Sequence, residues 1–373
     1  MENSHFLIKA LVFQALFFSS LAFAQDEKKS DHDSSYKIVP VISSNPTAGT
    51  GAGVMGTLMY KADKDSSPSQ AILSAQYTNT DSYNIVAINK LFFDSDKWQS
   101  NTVYAHVFNN TSFSIDGSDF GFDTYFEPNL HVTVDGALQQ FLYLVHKNIY
   151  FGGHAFYMKQ VFEADNAEGE FFLKSNGITD SSRGGIGALL SYDTRTKKEK
   201  FYPTDSTFVN LSFNYFPEFL GSDKVFYNGL INARKYLPLG KSNDILALQY
   251  LGQFCSENTP DGALSALGAR NVLRGFPIGK YKTRYMNAFQ AEYRYTIGQT
   301  RFRLAPFAGY ANLSGGSKGT ATGNRDSDNG NYYSGGAGVH YILEKKHQLD
   351  YRIDLVYSSD EEVSVYASMN QAF

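Results

Sequence analysis

The feature that most constrains this chain is alternation. In run after run, apolar residues take every second position and polar or ionised residues fill the positions between. Ala71, Leu73, Ala75 and Tyr77 stand against Gln70, Ser74, Gln76 and Thr78. Ile186, Ala188, Leu190 and Tyr192 oppose Ser191, Asp193 and Arg195. Leu246, Leu248, Tyr250 and Phe254 oppose Gln249 and Gln253. Phe289, Ala291, Tyr293 and Tyr295 oppose Gln290, Glu292 and Arg294. Leu349, Tyr351, Ile353, Leu355 and Tyr357 oppose Gln348, Asp350, Arg352 and Asp354. A period of two belongs to strands, because successive side chains point to opposite faces of a sheet. A strand with one greasy face and one ionised face does not suit a soluble core, where Glu292 and Arg294 would be costly to bury. It suits a transmembrane β-barrel, whose outer face meets lipid and whose inner face meets a wet lumen.

Sixteen candidate strands follow from the pattern: 49–60, 69–79, 82–92, 99–109, 119–133, 135–146, 149–163, 184–195, 205–216, 224–237, 244–254, 284–297, 300–313, 331–343, 347–358 and 362–373. The connections sort by length. Those after even-numbered strands include the tight turns Thr80-Asp81, Lys147-Asn148, Gly298-Gln299 and Glu344-Lys345-Lys346. Those after odd-numbered strands include the long polar stretches 165–183, 256–283 and 314–330. Short turns on one rim and long loops on the other are the asymmetry of an outer-membrane barrel, with the turns in the periplasm. The expected fold is thus an all-β, 16-stranded antiparallel transmembrane β-barrel of the outer membrane.

The N-terminus agrees with export. Residues 1–24 read as a signal peptide: Lys9 and the amino group supply charge, Ala10 to Phe18 is mostly apolar, and Ala22-Phe23-Ala24 offers a cleavage site before Gln25. Residues 25–48 form a short periplasmic or lumenal segment, in which Lys37 to Ile42 is either a short strand or a plug. The barrel proper is expected over 49–373. No later run approaches the 18 uncharged apolar residues that a membrane helix needs. The net charge of −4 gives no reason to expect nucleic acid as a partner. Cysteine occurs once, at Cys255, so no internal disulfide is available. The 26 Tyr and 30 Phe against one Trp fit aromatic girdles at the two membrane interfaces, although a soluble β-protein can also show such an excess.

Motifs for bond chemistry are weak. The run Gly51-x-Gly53-x-x-Gly56 spells a dinucleotide fingerprint, but no strand-turn-helix context surrounds it. The eight histidines have no metal-ligand spacing, and no serine or aspartate is marked out as a partner for any of them. The expectation is therefore no enzyme, no catalytic residues, no metal and no cofactor.

Three stretches resemble a known family. Arg274-Gly275-Phe276 falls in the long loop after the eleventh strand. Tyr192-Asp193-Thr194-Arg195 is followed by Phe201-Tyr202-Pro203-Thr204, and Asn45-Pro46-Thr47-Ala48-Gly49-Thr50-Gly51 stands ahead of the first strand. Together these resemble the bacterial surface antigen family, the barrels of the outer-membrane assembly and translocation superfamily (Bam- and Tam-like proteins), over Pro40 to Phe373. Phe373 resembles the terminal aromatic that marks such barrels for assembly.

The resemblance implies that the Arg-Gly-Phe loop tucks into the lumen. Arg274 would meet Glu292 there, with Asp193, Arg195, Arg352 and Asp354 on neighbouring walls. The bland alternative is an exposed loop arginine. Family members commonly place an acid on the next strand, but here that strand reads Pro306-Phe307-Ala308-Gly309-Tyr310-Ala311, without one. The resemblance also implies a lateral seam between first and last strands, assigned to Gly51, Gly53, Gly56 and Phe373, although glycines there would equally serve a tight wall. The expected activity is assistance to insertion or translocation of proteins or lipids at the outer membrane. Expected partners are outer-membrane lipid, client outer-membrane or secreted proteins, and a periplasmic accessory protein in place of the repeat domains carried by relatives. Alternatives are a passive porin-like channel tuned by lumenal charge, or an adhesive barrel that binds through its loops.

Overall fold

The computed structural model describes residues 34–45, 49–112, 115–116, 125–175, 178–197, 199–200, 202–240, 244–268, 272–276, 281–316, 328–344, 349–360, 363–369 and 371–373. The expected signal peptide lies outside them. Sixteen strands form one antiparallel sheet in which each pairs with its neighbours in chain order. They are β1 (Ser35–Asn45), β2 (Gly49–Tyr60), β3 (Ser69–Thr78), β4 (Tyr83–Phe93), β5 (Trp98–Ser112), β6 (Asn129–His146), β7 (Ile149–Ala164) and β8 (Ser181–Asp193). The second half comprises β9 (Ser206–Phe216), β10 (Phe226–Leu239), β11 (Asp244–Cys255), β12 (Tyr285–Thr296), β13 (Phe302–Ser314), β14 (Gly330–Glu344), β15 (Leu349–Ser358) and β16 (Val363–Met369). Among the described residues one α-helix, α1 (Ala167–Ser175), sits in the β7–β8 connection.

The sheet curls on itself. Lys197, in the β8–β9 connection, donates to the Asp65 backbone oxygen in the β2–β3 connection. The Lys200 ammonium lies 5.7 Å from the centroid of the Phe92 ring on β4. Arg294 on β12 donates to the backbone oxygen of Phe373 at 2.9 Å. These contacts join strands that are far apart in sheet order, across the interior of a barrel.

The wall is inverted relative to a soluble protein. Leu73, Phe289 and Leu355 are 58%, 53% and 56% exposed, whereas Glu292, Arg294 and Asp354 are at 0%. That inversion is what alternation demands when lipid lies outside.

Two strand assignments differ from the sequence expectation, and they cancel in the count. Ser35–Asn45 is a full strand paired along its whole length with β2, so the barrel starts at Ser35 and not at Gly49. Its Pro40 can give no ladder hydrogen bond, which a strand at the end of the sheet order tolerates. From Asn129 onward the expected strands 119–133 and 135–146 are instead one strand, β6, while Tyr125–Phe126 pair with Ile115–Asp116 in a separate small sheet and residues 119–124 lie outside the described residues. The expected break fell at Val134, just before Asp135-Gly136, a pair common in turns. Here Asp135 and His106 approach within 2.7 Å across β5 and β6, and the chain runs straight through.

Starting at β1 also shifts the parity of the early turns. The connection over 79–82 now shares a rim with the long loops over 113–128, 165–180, 256–284 and 315–329. The connections over 61–68, 94–97, 147–148, 194–205, 240–243, 297–301, 345–348 share the other rim, where Asn148 turns the tightest hairpin at φ 62°. The length asymmetry survives, with 194–205 as the longest connection on the short-turn rim.

The β12–β13 ladder lapses at Tyr293 and Arg294. By register Tyr293 faces Pro306, which has no N–H to offer. The break lies beside the buried ions Glu292 and Arg294.

Candidate functional site

The long connection between β11 and β12 does not stand clear of the barrel. Ser265–Ala266 and Lys282–Thr283 form a small buried hairpin within it. Val272, Leu273, Arg274 and Phe276 are all buried inside. Leu267, Val272, Leu273 and Phe276 pack with Leu251, Met286, Ala288, Ala311 and Leu313 from the inner faces of β11 to β13.

The turn at its tip is built for a tight approach. Leu273 takes φ 51° and Gly275 takes φ 103°. The latter lies in a region that L side chains rarely adopt. A Cβ on Gly275 would also stand 3.0 Å from Val356 Cγ1 and 3.2 Å from Ser358 Cβ on β15. The Leu273 N–H donates to Gln290 Oε1 at 3.0 Å, and Gln290 Nε2 donates to Gln249 Oε1 at 2.8 Å. Phe276 meets Tyr281 and Tyr332 edge-on, at 6.0 and 5.7 Å between centroids.

Arg274 occupies the centre. Its Nη1 donates to Asp354 Oδ2 at 2.7 Å and its Nη2 to Glu292 Oε2 at 2.8 Å. The guanidinium carbon lies 3.4 Å from the centroid of the Phe307 ring. The strand that lacks an acid thus supplies an aromatic face, and the second acid comes from two strands further on. A planar guanidinium suits both contacts, donating in its plane and stacking on its face.

The partners of Arg274 are themselves shared. Arg294 Nε donates to the other oxygen of Glu292 at 2.9 Å. Arg352 Nη1 stands 3.3 Å from Asp354 Oδ2. His340 lies between two acids, its Nε2 3.7 Å from Asp354 and its Nδ1 3.8 Å from Asp350. Asp350 is also bound by Arg303 and accepts from Gln371 Nε2 at 2.6 Å. The result is one buried network of Arg274, Arg294, Arg303, Arg352 and His340 with Glu292, Asp350 and Asp354. In such a network no acid faces desolvation without a cation.

Of the residues expected from sequence, Arg274, Gly275, Phe276, Glu292, Arg352 and Asp354 are brought together here. Asp193 and Arg195 are not. Arg195 instead grips Asp193 through Nε and Nη2, both at 2.9 Å, and Lys200 donates to the same carboxylate at 2.9 Å. That group belongs to the end of β8 and the short-turn rim, with Arg195 4.3 Å from the centroid of the Phe208 ring.

The residues assigned to a seam are also displaced. Gly51, Gly53 and Gly56 lie on β2, which is paired with β1 on one side and β3 on the other. At Gly53 a Cβ would stand 2.2 Å from the Ala75 backbone oxygen, so the glycine serves close strand approach. Phe373 is buried with Tyr202, Tyr236, Ile245, Ala247 and Ala372, its ring centroid 5.8 Å from the Arg294 guanidinium. The strand order ends with β1 on one side and β16 on the other, so any seam of this barrel lies between those two strands.

Sequence reasoning passed over Arg303, Phe307, His340 and Gln371. The signal for His340 and Phe307 was in the register. His340 pairs with Arg352, and Phe307 with Glu292, so each shares the inner face with a residue already suspected.

Comparison with known proteins agrees with this architecture. None of the curated proteins matches the chain by sequence. Among solved structures, BamA from Haemophilus ducreyi lacking POTRA domains 1–3 is 13% identical, with a TM-score of 0.56 over 97% of this chain and 77% of that one. CdiB from Escherichia coli is 10% identical, with a TM-score of 0.64 over 96% and 68%. CdiB from Acinetobacter baumannii is 10% identical, with a TM-score of 0.58, and the chain spans 59% of its length. At these identities the likeness is one of fold. The Omp85 superfamily domain model matches residues 67–343, most of the barrel, and the chain belongs to that superfamily.

Proposed function

We propose that this barrel assists the insertion or translocation of proteins or lipids at the bacterial outer membrane, after export and removal of residues 1–24. The docked β11–β12 loop is its controlling element. The observation that carries this reading is the burial of Arg274 between Glu292 and Asp354, on the face of Phe307. A loop held by a compact set of charge-assisted bonds has two discrete arrangements, docked and released, and so can be biased by whatever enters the barrel. The work would come from binding energy and local thinning of the bilayer, without a cofactor. Outer-membrane lipid and unfolded client chains are the proposed partners, with a periplasmic accessory protein to deliver the latter. Opening would occur between β1 and β16.

The test is reconstitution. Liposomes containing the purified barrel should take up and fold an unfolded outer-membrane client faster than protein-free liposomes. Cysteines introduced on β1 and β16, in a Cys255→Ser background, should abolish that gain when oxidised and restore it when reduced. Equal rates with and without the barrel would refute the reading. Steady, large conductance in a planar bilayer, unaffected by the loop, would speak for a passive channel.

A further inference from the structure

The outer wall of β9 to β13 carries a feature that a uniform lipid-facing surface would not. Across β9 to β13 a groove of about 650 Å³ is sunk into the apolar face. Register explains it. One cross-strand row runs Ala233, Tyr250, Phe289, Tyr310. The adjacent row, nearer the short-turn rim, runs Lys235, Leu248, Ala291, Ala308, and Ala308 then faces Gly335. A line of small residues beneath a line of aromatic ones makes a trough. Lys235 stands at one end.

Lys235 is out of place. Among the described residues, the charged side chains on the outward rows of β8 to β15 are Lys235 and Asp244. Asp244 lies four residue pairs along the same ladder, about 13 Å at the rise of an antiparallel strand, and accepts from the Tyr293 hydroxyl at 2.9 Å. The Lys235 ammonium donates to Thr207 Oγ1 at 3.2 Å, a neutral acceptor. Leu237 and Leu239 lie between Lys235 and the rim, so the charge is set inside the apolar band, where a cation is disfavoured in proportion to its depth. The rim in question is the one with short turns, which in outer-membrane barrels is periplasmic.

From these observations we infer that the trough is a binding site for an anionic glycerophospholipid of the periplasmic leaflet. One acyl chain lies along Ala291 and Ala308 under Tyr250 and Phe289. The phosphodiester sits on the Lys235 ammonium and the Thr207 hydroxyl. The volume falls in the usual range for small-molecule sites, and an apolar trough with one charged end matches an amphiphile of that shape. The anion offsets the cost of a cation at this depth, which neither Thr207 nor Asp244 does.

The experiment is native mass spectrometry of the purified full-length barrel, titrated with phosphatidylglycerol or phosphatidylcholine of the same acyl chains. Folding of each variant is checked by heat-modifiable electrophoretic mobility. The wild type should retain phosphatidylglycerol about fivefold over phosphatidylcholine, the worth of one lysine at an anionic lipid surface. Lys235→Gln should bring the two lipids to parity, and Lys235→Arg should restore the preference. Ala291→Phe, which fills the trough and leaves Lys235 in place, should lower retention of both. An unchanged preference in Lys235→Gln, or unchanged retention in a folded Ala291→Phe variant, would overturn the site and leave only unspecific annular lipid.

Discussion

Replacing Arg274 with Ala is the most telling single perturbation of the loop. The substitution removes two charge-assisted hydrogen bonds, at 2.7 and 2.8 Å, and one stacking contact with Phe307. Deleting one partner of a buried ion pair costs about 3–5 kcal/mol, because the other charge is left uncompensated. Here Glu292 keeps Arg294 and Asp354 keeps Arg352, which favours the lower end. A loss of about 3 kcal/mol shifts the docked-to-released equilibrium by roughly a hundredfold, at about 1.4 kcal/mol per decade. Hydrogen exchange reads this directly, since the Leu273 amide is protected by Gln290 only while the loop is docked. Exchange over 272–276 should accelerate by about two decades, while the β12 and β13 ladders stay protected. Conductance should rise as the lumen clears. Unchanged exchange together with unchanged conductance would show that Arg274 is not what holds the loop.

Other substitutions separate the parts of this account. Gly275→Ala introduces a Cβ at φ 103° against Val356, and should release the loop with Arg274 intact, by about 1–3 kcal/mol in the same exchange experiment. Phe307→Leu keeps bulk but loses the ring face beneath the guanidinium. A smaller loosening of about 1–2 kcal/mol is expected, and none at all would remove the stack from the mechanism. Asp193→Asn should free Arg195 and Lys200 and weaken the β8–β9 connection by about 2 kcal/mol, measured by local exchange over 194–205. Exchange at Leu273 should not respond, because no member of that group touches Arg274.

Much of the wall was legible before any coordinates, for a physical reason. A side chain on a membrane strand must face either lipid or lumen, and each choice has a composition. The runs around Leu73, Phe289 and Leu355 therefore announce both their strand character and their orientation. Errors came where a local signal was outweighed. The expected break at Val134 fell beside Asp135-Gly136, a pair common in turns, but β6 pairs with both β5 and β7 straight through it. Lys37 to Ile42 is ambiguous in isolation because its neighbour β2 is what makes it a strand.

The loop site was legible in part. Arg274, Gly275 and Phe276 stood out through a family resemblance, and inward parity nominated Glu292, Arg352 and Asp354. Parity does not say which inward residues lie at the same height. Asp193 and Arg195 share the orientation but sit at the rim, gripping each other. Nor do the letters show that an aromatic ring can stand where an acid is expected. The face of Phe307 became a partner only when the fold placed it beneath the guanidinium.

The central claim is the inversion of the wall, with ions inside and lipid outside. Spin labels placed one at a time from Ala288 to Arg294 on β12 of the barrel in bilayers test it most directly. Oxygen accessibility should alternate with a period of two, high at Phe289, Ala291 and Tyr293 and low at Gln290, Glu292 and Arg294. A period near 3.6, no period, or high accessibility at the charged positions would contradict it.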